Sequence, residues 1–258
     1  MIRIPKLEMH LAYGCNLRCQ QCSHYSNYGL GGIVPLEVGR AWIVGWGERV
    51  EPVHFSFLGG EPLLNPDVAE FLRLGRTRWP HTIIRLVTNG LLLPKWDAHL
   101  WSALAETETL LTISAHSRDP DYVAEFERVV RWASEHAAQY GVRYEIRNSI
   151  DSWHRMYQGN GPTMLPFDDG DPAASWRVCQ SKHCLTVEDN ALWKCPRVAH
   201  LPRVARKFSL SSWQAPLRYV PLRLDASDDE IRAFIARREE PACAMCPSTL
   251  VYFQKQIR

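Results

Sequence analysis

The chain has no run of apolar residues near the ~18–20 needed to span a bilayer. Its first residues, "MIRIPKLEMH", lack the charged-then-apolar pattern of an export signal. It has little excess charge of either sign, with a formal net charge of +2 over 258 residues. That argues against a protein that tracks phosphates along a nucleic acid, and "RVARK" (203–207) and Arg237-Arg238 read as solvated surface. The expectation is a cytoplasmic protein with neither a membrane nor a nucleic-acid partner. Cysteine is missing from the 156 positions between Cys22 and Cys179, yet eight cysteines are present, gathered on either side of that gap. Disulfides do not persist in a reducing compartment, so clustered thiols there imply metal or redox chemistry. With 46% hydrophobic and 22% charged residues the composition is that of an ordinary globular protein, and ten tryptophans can build a sizeable core or a deep pocket.

Between the two cysteine groups the chain alternates strand and helix. "LEMHLAY" (7–13), "HFSFLGG" (54–60), "TIIRLVTNG" (82–90), "TLLTISAHS" (109–117) and "VRYEIRNSI" (142–150) have the β-branched, partly alternating form of strands. Helical patterns follow Pro35, Pro66, Pro94 and Pro120, and the last runs to Gly141, suited to a left-handed cap. This order implies parallel strands with right-handed crossovers. About five units fit before residue 150, whereas a closed eight-fold barrel takes about 250 residues. The fold class expected is therefore α/β, an open, partial β/α barrel. In such folds ligands bind at the carboxyl ends of the strands. The loop after the first strand, "GGEP" (59–62) after the second, "TNG" (88–90) at the end of the third, Ser114 and Arg147 should then share one face.

That loop reads "AYGCNLRCQQCSHYS" (12–26), with cysteines at 15, 19 and 22. Protein 4Fe-4S clusters usually take four thiolates, so three leave one iron open for a ligand. Cys-x3-Cys-x2-Cys followed by Gly-Gly-Glu strongly resembles the radical S-adenosylmethionine (SAM) superfamily over about residues 7 to 150. The resemblance implies that SAM chelates the open iron through its amino and carboxylate groups and is cleaved by one electron. The products are methionine and a 5′-deoxyadenosyl radical that takes a hydrogen atom from substrate. It implies further that Cys15, Cys19 and Cys22 hold the cluster and that Gly59, Gly60 and Glu61 receive the SAM amino group. Asn89, Ser114 and Arg147 are candidates, by strand position, for the ribose and carboxylate. The family commonly has an aromatic residue just before the third cysteine. Here it is Gln21, and Tyr25 or His24 is the candidate replacement beside the adenine. A flavodoxin- or ferredoxin-like electron donor is the partner implied.

Cys179, ten residues, Asn190, four residues and Cys195 resemble the opening of the SPASM motif that follows many radical SAM domains, and "CAMC" (243–246) resembles its truncated, twitch-type ending. The resemblance implies a second, auxiliary 4Fe-4S cluster on Cys179, Cys195, Cys243 and Cys246. Cys184 is then a spare thiol able to return a hydrogen atom to a substrate radical, or it replaces Cys179 as ligand. The organisation expected is a core over 1–150, a bridging segment over 151–178 and a small cysteine-rich auxiliary-cluster domain over 179–258. The bridging segment is expected to be irregular and to offer His154, Arg155, Tyr157 and Asp168 or Asp169 to substrate. "CLTVEDNALWKCP" (184–196) reads as two strands about an "EDN" turn, and "DDEIRAFIARREE" (228–240) as a helix. Size and cysteine layout resemble the twitch-type aminocyclitol dehydrogenases of antibiotic biosynthesis, and no extension for a leader peptide precedes the first strand. Both favour oxidation or epimerisation of a small, polar, sugar- or aminocyclitol-like molecule over modification of a ribosomal peptide. A rival from another class joins Cys19-x2-Cys22 and Cys243-x2-Cys246 in a four-cysteine zinc module.

Overall fold

Alternation decides the sheet. In "VEPVHFSFLG" Phe55 and Phe57 are buried on one side, while His54 and Ser56 turn to the other. The same period puts Leu7 and Met9, Ile84 and Leu86, and Leu111 and Ile113 against the helices. The computed structural model describes residues 1–151, 153–253 and 257. Strands β1 (Ile2–Ala12), β2 (Val50–Gly59), β3 (Ile83–Thr88), β4 (Leu110–Ala115) and β5 (Tyr144–Asn148) are joined by helices α1 (Leu36–Arg49), α2 (Val68–Arg78), α3 (Ala98–Glu106) and α4 (Pro120–Tyr140). The chain continues through α5 (Pro172–Val178), β6 (Leu185–Glu188), β7 (Ala191–Trp193), α6 (Pro196–Phe208), α7 (Gln214–Leu217), β8 (Leu222–Arg223) and α8 (Asp228–Ala236). One open sheet has the order β5-β4-β3-β2-β1-β6-β7-β8. It is parallel from β5 to β6 and antiparallel across β7 and β8. This is the open, parallel-rich β/α sheet expected.

Local chemistry sets the boundaries. Asp119 caps α4 by accepting from Asp121 and Tyr122, and Gly141 ends it at φ 71°. Asp189 and Asn190, both at positive φ, turn β6 into β7, as the "EDN" reading requires. The helix after Pro94 begins later than its pattern predicts. Leu93–Lys95 form a 3-10 turn, and Asp97 caps α3 by accepting from His99. Residues 151–178 are not wholly irregular: Asp171 accepts from Ala174, and with Pro172 at the first turn it starts α5. Helix α6 did not stand out in the sequence, and Pro202 lies inside it. Its Arg203 is not simply solvated: it pairs with buried Glu188 and lies 3.6 Å over the Tyr13 ring. Indoles do fill the core, with Trp46, Trp79, Trp101 and Trp213 at most 1% exposed. No helix among the described residues is long and apolar enough to cross a membrane.

Candidate active site

The side of the sheet opposite the helix-covered core is polar. Lys6 and Glu8 of β1, His54 of β2, Arg85 of β3, Ser114 of β4 and Arg147 of β5 line one cavity. Register explains the convergence: Lys6 faces His54, Glu8 faces Ser56, Ser56 faces Arg85, and Ser114 faces Arg147. Only Ser114 and Arg147 were candidates from sequence. The others were readable as polar residues recurring every second position inside otherwise apolar strands.

Cys15, Cys19 and Cys22 open onto the same cavity, with Gly59, Gly60 and Asn89. The Gly60 amide donates to the Ala12 carbonyl at 2.9 Å, and the Glu61 amide to the Gly14 carbonyl at 2.9 Å. A Cβ on Gly60 would stand 2.0 Å from the Gly14 oxygen, so only glycine lets these two backbones close. Glu61 departs from the expectation of a carboxylate turned to an ammonium. It is fully buried behind the glycines, accepting from the Thr88 hydroxyl at 2.6 Å, the Asn89 amide at 2.9 Å and the Leu63 amide at 3.1 Å. Burial pushes its pKa up to about 7, against the pull of those three bonds. Glu61 thus clamps the end of β2 to the end of β3. Asn89, so held, donates to Asn16 at 2.7 Å and approaches the Cys15 sulfur at 3.7 Å, while the Leu17 amide donates to that sulfur at 3.4 Å. Donors aimed at a half-buried sulfur fit a thiolate that ligates iron.

Gln21 holds chain rather than ligand: its Oε1 accepts from the Met156 amide at 2.7 Å and the Tyr157 amide at 3.1 Å. Tyr25 is 2% exposed, packs 5.9 Å from the Tyr157 ring and does not line the cavity, whereas His24 does. The proposed substrate contacts are placed elsewhere too. His154 is buried against Tyr252, Arg155 lies over Phe253, and the Tyr28 hydroxyl donates to that of Tyr157 at 2.9 Å. Asp168 is exposed, at φ 54°, and Asp169 accepts from the Ser248 amide and hydroxyl. From this segment Trp153 and Met156 line the cavity instead. The Gln21 clamp and the bridge between His154 and Tyr252 set which side chains face inward.

The C-terminal cysteines divide. Cys179, Cys195, Cys243 and Cys246 line a second pocket, while Cys184 lines the first. Cys184 lies beside the Glu8 carboxyl, which accepts from Thr186 at 3.2 Å. Cys19 and Cys22 open onto one cavity and Cys243 and Cys246 onto the other, so these pairs do not make the joint zinc site of the rival reading. Among the described residues no three His, Cys, Asp or Glu side chains meet closely enough for a single metal ion. The second pocket fits an anionic group: Arg197 reaches into it, 3% exposed, donating to the Cys246 sulfur at 3.1 Å.

Burial raises the Glu8 pKa from its ordinary 4.5 to about 7, opposed by Thr186, Cys184, Lys6 and Arg147. Between those values the folded chain keeps a proton that the unfolded chain has released, so stability falls as pH rises through this window. At about 1.36 kcal/mol per unit, Glu8 costs on the order of 3 kcal/mol above pH 7. Urea unfolding of metal-free protein at pH 5 and pH 8 should show Glu8→Gln losing less stability over that interval than wild type. Identical losses would mean that the Glu8 carboxyl is not strained.

Among solved structures, the chain is similar to anSMEcpe with bound AdoMet and Cp18Cys peptide, at 24% identity over 55% of this chain and 42% of that one, TM-score 0.41. It is similar to Streptococcus suis SuiB at 19% identity over 55% of this chain and 32% of that one, TM-score 0.44. It is also similar to BtrN in an open conformation at 13% identity over 75% and 70%, TM-score 0.42. The chain thus spans less than half of the first two in these matches, and scores at this level carry no argument of their own. The family match does: the model of the radical SAM superfamily fits residues 9–169, more than half of the chain and the stretch holding the triplet, the Gly-Gly-Glu and the cavity-lining residues of β2 to β5. This chain belongs to the radical SAM superfamily.

Proposed function

We propose that this protein abstracts a hydrogen atom from a small, polar, sugar- or aminocyclitol-like molecule and oxidises or epimerises it. In this reading Cys15, Cys19 and Cys22 hold the SAM-binding cluster, and Cys179, Cys195, Cys243 and Cys246 hold an auxiliary one in a twitch-type region over 179–258. Membership of the superfamily implies SAM and one 4Fe-4S cluster, which together supply the abstracting radical. The observation that carries the choice of substrate is the cavity wall. Lys6, His54, Arg85 and Arg147 offer cationic or imidazole groups and Ser114 a hydroxyl, in the same cavity as the three cysteines. Such a wall binds hydroxyl oxygens by hydrogen bonds and disfavours an apolar side chain, and Glu8 in the same wall offers an acceptor to an amino group. Superfamily members also act on peptides, as the complex of SuiB with its precursor peptide SuiA illustrates, and peptide modification is the alternative.

Of the two reactions, epimerisation draws on Cys184. Its thiol faces the cavity, and burial beside the Glu8 carboxyl raises its pKa, so it stays protonated and able to return a hydrogen atom. The thiyl radical left behind then takes one electron from the reductant and one proton from solvent. The test uses anaerobically reconstituted protein, dithionite, SAM and a panel of aminocyclitols and amino sugars in deuterium oxide. Epimerisation gives product bearing one solvent deuterium, and Cys184→Ala loses it. Dehydrogenation gives a product two electrons more oxidised, without that deuterium. Turnover of peptides alone would sink the small-molecule reading.

A further inference from the structure

We propose that Arg197 is the charge-compensating residue of the C-terminal cysteine pocket, holding up the reduction potential of the cluster there. This rests on the auxiliary-cluster reading above. The side chain follows Cys195, the N-cap of α6, and Pro196, and is 3% exposed. Nη1 donates to the Cys246 sulfur at 3.1 Å, while Nε and Nη2 are buried with no acceptor among the described residues. The residue lines both cavities, so its guanidinium stands in the wall between them.

The other charges around the second pocket do not neutralise it. Glu240, its one carboxylate among the described lining residues, pairs with Arg237 at 3.3 Å. Lys194 adds a second cation, its Nζ committed to the Phe234 and Arg237 carbonyls, and Lys182 a third, donating to the Arg177 carbonyl. Three cations and one engaged carboxylate around four thiols make a site short of negative charge. A buried cation with two idle donors is heavily destabilising unless an anion meets it. Neutral thiols supply none, whereas four thiolates around an iron–sulfur core leave a net negative group with sulfurs for Nε and Nη2 to reach. A cation and hydrogen-bond donor beside such sulfurs favours the reduced, more negative form and raises the potential.

The test isolates this pocket by starting from protein with Cys15, Cys19 and Cys22 changed to Ala, reconstituted with iron and sulfide. Redox titration followed by electron paramagnetic resonance gives the potential of the remaining cluster. Arg197→Gln should lower the equilibrium constant for one-electron reduction at least tenfold, a fall of about 59 mV, with Arg197→Lys between it and the parent. In metal-free protein Arg197→Met should raise the melting temperature, because the unpaired cation is gone; in cluster-loaded protein it should lower it. A parent that holds no iron would sink the auxiliary-cluster reading and this inference with it. Iron bound with the same potential in the parent and in Arg197→Gln would sink this inference alone.

Discussion

Changing Cys15, Cys19 and Cys22 together to Ala is expected to lower the iron of anaerobically reconstituted protein from about eight to about four per chain. Release of 5′-deoxyadenosine from SAM should be abolished. The expectation comes from the separation of the two cysteine sets: the triplet opens onto the cavity shared with Gly59 and Gly60, the other four thiols onto a pocket of their own. Losing one set should therefore leave the other loaded. The reciprocal change, Cys179, Cys195, Cys243 and Cys246 to Ser, should remove the other half of the iron and leave dithionite-driven SAM cleavage in place. If wild type holds only about four irons and the triplet variant none, the C-terminal cysteines hold no cluster. The argument for an electron acceptor near the substrate then falls, and epimerisation through Cys184 becomes the stronger reading.

Glu61→Ala is expected to destabilise metal-free protein by about 3–5 kcal/mol. Three donors lose their acceptor at once, and each buried unsatisfied group costs roughly 1–3 kcal/mol, partly relieved by relaxation. The Thr88 hydroxyl and the Asn89 amide belong to the end of β3, so the clamp between the second and third strands opens. Asn89 then loosens from Asn16 and from the Cys15 sulfur, and the cysteine loop loses a support. Urea unfolding without SAM or iron separates the two roles offered for this residue. A carboxylate that serves only an incoming ammonium leaves the metal-free protein unchanged, whereas a strand clamp shows its full cost there. Glu61→Gln, which keeps one acceptor oxygen, should lose less than Glu61→Ala.

What could be read from the chain alone was what short stretches decide. Alternating strands, helices beginning near Pro35, Pro66 and Pro120, the cap at Gly141 and the turn at Asp189-Asn190 all depend on neighbours within a few positions. The spacing of Cys15, Cys19 and Cys22 is equally local, and it was enough to identify the family. The late start of α3 and the presence of α5 are local as well, carried by the caps Asp97 and Asp171, although Pro94 and a turn-rich composition mask them.

Tertiary structure decided which of these local pieces face one another. Glu8 meets Thr186 from 178 positions away, and Arg197 meets Cys246 from 49 away. Parallel strands bring together residues far apart in the chain, and only the register of the sheet sets which side chains share its polar face. Cys184 and Cys179, five positions apart, open onto different cavities because β6 begins at Leu185, immediately after Cys184, whereas Cys179 closes α5. Glu61 illustrates the same limit. Its motif marks the end of the second strand, but the motif cannot show that Thr88 and Asn89 already use the carboxylate, because those partners arrive with the third strand.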